Sequence, residues 1–141
     1  MTSDRALAAG DVIRLARGRY GLPELDAARQ AAARLNGVLC LPDAADHYGW
    51  EAKHVPRIPH VLMPKWRSLP TTRTAHVHRG NLRADQLDGP ATSEETTLEQ
   101  CLRTLPFDEA LAIADSACVT VLREASWTAS VTARRDPAAR R

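Results

Sequence analysis

Three arginines, Arg14, Arg17 and Arg19, crowd one turn of the stretch Gly10-Asp-Val-Ile-Arg-Leu-Ala-Arg-Gly-Arg-Tyr-Gly-Leu22. Val12, Ile13 and Leu15 are β-prone, Gly18 suits the positive φ of a tight reversal, and Tyr20 to Leu22 can return as a second strand. A guanidinium is a rigid fork that pairs bidentately with phosphate oxygens, so a small basic hairpin of this kind suits contact with a nucleic-acid backbone. Any such contact is made mostly to phosphates, hence salt-dependent and poorly sequence-specific, with Arg5 and a basic C-terminal segment as further contributors. The competing reading is a surface hairpin whose arginines are simply solvated.

Two other constellations carry chemistry on paper. Pro42-Asp43 followed by Glu51-Ala52-Lys53 spells the pattern of PD-(D/E)xK nucleases, in which the carboxylates hold a divalent metal and the lysine orients water. The second half of that pattern belongs on an apolar strand, but Gly49-Trp-Glu-Ala-Lys-His54 is polar and opens on a helix stop. His76-Val-His78 places two imidazoles on one face of a strand, as some zinc sites do, with His54, His60 and the cysteines as nominal completing ligands. No finger-like ligand spacing accompanies them, so a solvated strand face is the stronger reading and no metal or cofactor is expected. Ser93 and Ser116 lack a nucleophile-elbow context, Asp108, Glu109 and Asp115 read as helix-capping and solubilising acids, and the seven glycines are scattered. The expectation is a protein without catalytic residues.

Composition agrees with a modest domain. The 141 residues are 44% hydrophobic but only 4% aromatic, which predicts a thin, largely helical, Ala-rich core. The net charge of +2 permits a nucleic-acid partner without demanding one, and the skew of 17 Arg against 2 Lys reads as coding bias. No apolar run approaches the roughly 18 residues of a membrane span, and Met-Thr-Ser-Asp-Arg lacks the apolar core of a signal peptide. Cys40, Cys101 and Cys118 are odd in number and far apart, which predicts reduced, largely buried thiols in a cytoplasmic protein.

The elements follow from local signals and give an α+β class: a basic wing-like β-hairpin, a small β-sheet with packed helices, and a C-terminal αα-hairpin. Arg5 to Ala9 reads as a last helical turn stopped by Gly10. Pro23 opens a helix over residues 24–35 that ends before Asn36-Gly37. Val38 to Leu41 is a short buried strand or the start of the next helix, and residues 42–48 form a short helix closed by Gly49. Ile58 to Met63 reads as a strand, with Pro59 pointing to an edge position, and Arg73 to Arg79 as another. Thr92-Ser93 with Glu95 and Thr96 caps a helix carrying Leu98, Cys101, Leu102 and Leu105. Pro106-Phe107-Asp108 starts a second helix whose face includes Ala110, Leu111, Ile113 and Ala117. Leu98, Leu102, Leu105, Leu111 and Ile113 are the expected core of this pair. Trp50 and Trp66 are expected to cover core edges. The organisation is therefore residues 1–22 as the wing, 23–124 as an α+β core, and 125–141 as a disordered basic tail.

Read in order, five segments resemble actinobacterial proteins related to the AbiEi-type antitoxins of type IV toxin–antitoxin systems. They are Gly10 to Tyr20, Asp46-His-Tyr-Gly49, His60-Val-Leu-Met-Pro64, His76-Val-His-Arg79, and the run from Thr92 to Ala117. The resemblance spans roughly residues 5–118. It implies a winged helix that binds DNA, often at the protein's own promoter, with Arg14, Arg17 and Arg19 on the wing. It also implies a role in transcription regulation and, alternatively, a surface that meets a partner toxin. Many members add a nuclease-like domain similar to very-short-patch-repair endonucleases. Here the helix-turn-helix is represented only by its last turn at Arg5 to Ala9, and the residues after Ala117 are too few for a nuclease fold, so the chain reads as a truncated relative.

Overall fold

The computed structural model describes residues 2–69 and 74–135. Helix α1, Thr2–Ala9, ends where Gly10 takes φ +80°; the Gly10 amide bonds to the Leu7 carbonyl and that of Asp11 to Ala6, closing the helix in a Schellman motif. Strands β1, Ile13–Ala16, and β2, Arg19–Gly21, then pair antiparallel around Gly18 at φ +72°, the hairpin expected from the sequence.

Helix α2, Ala27–Leu35, begins three residues later than Pro23 suggested. The reason is its cap: Asp26 accepts the Arg29 amide at 2.8 Å, and residues 22–25 form a turn instead. Asn36, in the left-handed region, closes it. Strand β3, Val38–Leu39, leads into helix α3, Leu41–His47, with Leu41 left-handed at φ +56° to make that sharp change of direction. Strands β4, His60–Met63, and β5, His76–Arg79, follow. The hairpin of β6, Leu87–Asp88, and β7, Ala91–Thr92, brackets the Gly89-Pro90 turn. Helix α4, Glu94–Thr104, is capped by Ser93, and α5, Phe107–Arg135, completes the αα-hairpin.

The five-stranded sheet has the order β5-β4-β3-β7-β6, parallel between β5 and β4 and between β3 and β7, antiparallel elsewhere. This corrects the edge reading of Pro59. Strand β4 is interior, and Pro59 precedes its first residue, where a missing amide costs nothing while its carbonyl accepts the His76 amide at 2.8 Å.

The period-2 alternation of the strands splits the core in two. Leu39 and Val61 face α2 and pack with Ala31, Ala32, Ala44 and Met63. Val38 and Leu62 face the αα-hairpin and pack with Cys101, Ile113, Ala117 and Trp50. Helix α3 stitches the layers, with Ala44 in one cluster and Ala45 in the other. Two buried threonines complete the second layer: Thr97 donates to the Thr92 carbonyl at 3.0 Å, and the two hydroxyls lie 2.7 Å apart.

Three expectations fail here. Leu102 and Leu111 are exposed, at 56% and 45%, because the inward face of the hairpin is centred on Thr97, Cys101, Ala110, Ile113 and Ala117. Trp66 is 75% exposed; it sits on the turn after β4, with the Arg67 guanidinium 5.3 Å from its ring, whereas Trp50 is buried as expected. The tail assigned to residues 125–141 is helical as far as Arg135, since no Gly or Pro interrupts residues 107–135 and Ala and Arg favour helix; residues 136–141 lie outside the described residues.

Candidate functional site

The basic hairpin is pinned to α2 by its inward residues. Leu15 is buried, and a Cβ at Gly21 would fall 2.7 Å from Leu15 Cδ1, so the glycine is what allows the strands to close over that leucine. Arg19 Nη1 donates to the Ala33 carbonyl at 3.0 Å, placing a cation against the negative end of the α2 dipole. The three arginines of the sequence therefore divide. Arg19 is half-buried and tied to the scaffold. Arg14 and Arg17 are exposed, and among the described residues neither makes a side-chain hydrogen bond or ion pair. What sequence reasoning grouped by spacing, the pairing of β1 with β2 and α2 sorts into one anchor and two outward cations.

The acidic pattern is only partly assembled. Asp43 and Glu51 line one cleft of about 370 Å³ with Asp46 and His54. Lys53 instead pairs with Asp108 at the start of α5, which holds the lysine pKa up and the carboxyl pKa down. Asp43 Oδ2 accepts the His60 backbone amide at 2.7 Å, so this carboxylate braces the entry to β4. Burial pushes its pKa up to about 6, with that amide opposing and Asp46 and Asp26 adding to the rise. The Glu51 amide donates to Ser116 Oγ at 2.8 Å, tying the loop to α5.

Of the companions that the sequence offered His76 and His78, the sheet brings His60 to them and leaves His54 apart. The parallel register sets His60 opposite His76 and Leu62 opposite His78, so all three imidazoles rise from the same face of β4 and β5. His60 Nδ1 and His78 Nε2 are 2.9 Å apart, with the two rings 17° from parallel, and the His76 ring lies 5.0 Å from that of His60. Burial, then the neighbouring His78 and His76, pushes the His60 pKa down to about 4; burial and His76 lower that of His78 as well. One ring nitrogen of the pair must be an unprotonated acceptor for that contact to be a hydrogen bond, and lowered pKa values favour this. His76 is exposed, in keeping with the solvated face read from the sequence, but His78 is half-buried. The missed signal was the His60 to His76 pairing, which is invisible until two strands sixteen residues apart are known to be parallel neighbours.

His54 is committed elsewhere, 3.3 Å from Glu109. Cys40 and Cys101 are buried free thiols with burial-raised pKa values, whereas Cys118 is exposed, contrary to expectation, because it lies on the α5 face turned from the sheet. Among the described residues no three His, Cys, Asp or Glu side chains already converge on a metal-sized point, and no helix is long and apolar enough to cross a membrane. No family model, curated protein or solved structure matches this chain, so the geometry above is what a functional reading rests on.

Proposed function

We propose that this chain is a non-enzymatic, cytoplasmic DNA-binding protein of the antitoxin and transcription-regulator type, related to the AbiEi-type antitoxins, whose β1–β2 hairpin contacts the phosphate backbone. The observation that supports this reading is the pair Arg14 and Arg17, exposed and unpaired among the described residues on a hairpin anchored to α2 through Leu15 and Arg19. The anchored hairpin fixes where the two guanidinium groups are carried, no ion pair has to be broken to free them, and the side-chain freedom lost on a phosphate keeps the binding weak as well as sequence-tolerant. Fluorescence anisotropy with a labelled duplex tests it: binding at low salt that is lost at physiological salt is expected, and no binding at low salt refutes it. In parallel, plasmid DNA with magnesium or manganese is expected to stay intact; cleavage abolished by Glu51→Ala would replace this reading with a nuclease.

A second reading, a module that docks on a partner toxin, draws on an apolar groove of about 530 Å³ between α4 and α5, lined by Trp50, Leu98, Val121 and Leu122. Failure of DNA binding at low salt would favour it over the first.

A further inference from the structure

We propose that the pocket beside Trp66 takes an unstacked nucleobase from a single-stranded nucleic acid. Trp66 is 75% exposed, yet the turn that carries it is tightly held. That turn closes with the Arg67 amide on the Pro64 carbonyl at 3.2 Å. The Lys65 amide donates to Asn81 Oδ1 at 3.0 Å, and the Lys65 carbonyl accepts Arg79 Nη2 at 3.0 Å. Arg79 also donates to the Arg67 carbonyl, and Arg67 Nη1 donates to the Leu35 and Asn36 carbonyls at 3.1 and 3.2 Å. The fold thus spends several hydrogen bonds on a backbone whose indole it leaves in water. An indole has only two side-chain torsions, so ordering it against a flat ligand costs little while much apolar surface leaves water.

The pocket that Trp66 borders holds about 400 Å³, within the size range of small-ligand sites. Val38, Leu82 and Leu87 give it apolar walls, and the amides of Asn36 and Asn81 stand beside them. Among the described residues the Asn36 side chain makes no hydrogen bond, and Asn81 uses only its oxygen. A base matches this set: its face stacks on the indole and its edge meets the amides. No acidic residue lines the pocket. Lys65, next to Trp66, is exposed and makes no ion pair among the described residues, so a phosphate is accepted at the mouth. The α4–α5 groove, by contrast, carries Glu94 and Glu95 and would repel a polyanion.

The position of the turn favours a nucleic acid over other flat ligands. Arg67 holds the Leu35 and Asn36 carbonyls, and Arg19 of the basic hairpin holds that of Ala33, all at the C-terminal end of α2. One helix end therefore braces both the Trp66 turn and the hairpin, and the choice of a nucleic-acid ligand rests on the DNA reading above. Bases in a duplex are covered by their neighbours, whereas a single strand offers them to an aromatic platform.

The test is fluorescence anisotropy of the full chain with three labelled probes: a single DNA strand, its duplex, and an abasic strand of equal length. At physiological salt, which screens the phosphate contacts, the wild type should bind the single strand more tightly than the duplex or the abasic strand. Trp66→Ala should weaken single-strand binding roughly 5- to 150-fold, the loss of one stacked base, and erase the preference over the abasic strand. Trp66→Phe, which keeps an aromatic face, should retain most of the affinity. In the wild type the indole N–H signal of Trp66 should move on adding the single strand while that of buried Trp50 stays put. At low salt, duplex binding should be the same in Trp66→Ala as in the wild type and weaker in Arg14→Ala/Arg17→Ala. Base-dependent strand binding without such duplex binding would end the hairpin reading alone. Absence of strand binding, equal binding of intact and abasic strands, or wild-type affinity in folded Trp66→Ala would each overturn the present proposal.

Discussion

Ile113→Ala is the sharpest probe of how this fold is held together. Ile113 is fully buried on α5, in the layer formed by Cys40, Leu41, Ala45, Trp50, Leu62, Cys101 and Ala117. Truncation removes three carbons, worth about 2–2.5 kcal/mol in transfer terms. A cavity term adds to this, because the neighbours belong to a strand, two helices and a capped turn that cannot all move inward. A total of about 3–4 kcal/mol is expected, a large share of the roughly 5–15 kcal/mol that stabilises a domain of ordinary size. At this chain length the thermal midpoint should fall by roughly 10–15 °C. The control is Leu102→Ala, at a position 56% exposed on α4, where the loss should stay within about 0.5 kcal/mol and alanine's higher helix propensity partly compensates. Urea and thermal unfolding followed by circular dichroism give both numbers. If Leu102→Ala proves the costlier of the two, or if Ile113→Ala is nearly silent, the inward face of the αα-hairpin has been assigned to the wrong side.

Three further outcomes follow from particular contacts. Arg19→Ala should cost about 1 kcal/mol in unfolding experiments, by removing the charged donor from the Ala33 carbonyl, whereas Arg14→Ala and Arg17→Ala should each stay within about 0.5 kcal/mol; equal costs at all three would undo the division into anchor and outward cations. Thr97→Val should cost about 1–2 kcal/mol, since it strands the buried Thr92 hydroxyl while the Thr92 carbonyl keeps its bond from the Tyr48 hydroxyl at 2.8 Å; Tyr48→Phe in the same background should then cost more than it does alone, as a double-mutant cycle would measure. Removal of residues 126–141 should lower the far-ultraviolet helical signal, because α5 is helical through Arg135, and an unchanged spectrum would return that segment to the tail that its composition suggested.

Much of the chain was legible because its signals are local. Gly10 and Gly18 mark positive-φ turns, Ser93 caps α4, and Pro106 separates two amphipathic runs; each places an element to within a few residues. What escaped depends on contacts across the sheet. The β6–β7 hairpin is two residues deep on each side, too short for alternation to announce, and forms because β7 finds β3. On α4, Leu98 packs against the core as its hydrophobicity suggests, but Leu102 does not, because the buried positions are Thr96, Thr97 and Cys101, and Thr97 is made tolerable inside by Thr92. The same holds for the candidate site. Spacing alone groups Arg19 with Arg14 and Arg17, and only the packing of α2 shows that one of them has a structural partner. Spacing alone pairs His76 with His78 and leaves His54, His60 and the cysteines as equal companions, and only strand order singles out His60.

The central claim is that the hairpin meets phosphates through Arg14 and Arg17, and the most direct measurement is the salt dependence of duplex binding by the wild type and by Arg14→Ala/Arg17→Ala. Each cation that displaces a condensed counterion contributes about 0.9 to the slope of log affinity against log salt concentration. The double variant should therefore bind more weakly at low salt, with a slope shallower by about 2, while its thermal midpoint stays that of the wild type. Wild-type affinity and slope in a folded double variant would contradict the account and remove the hairpin from any DNA interface.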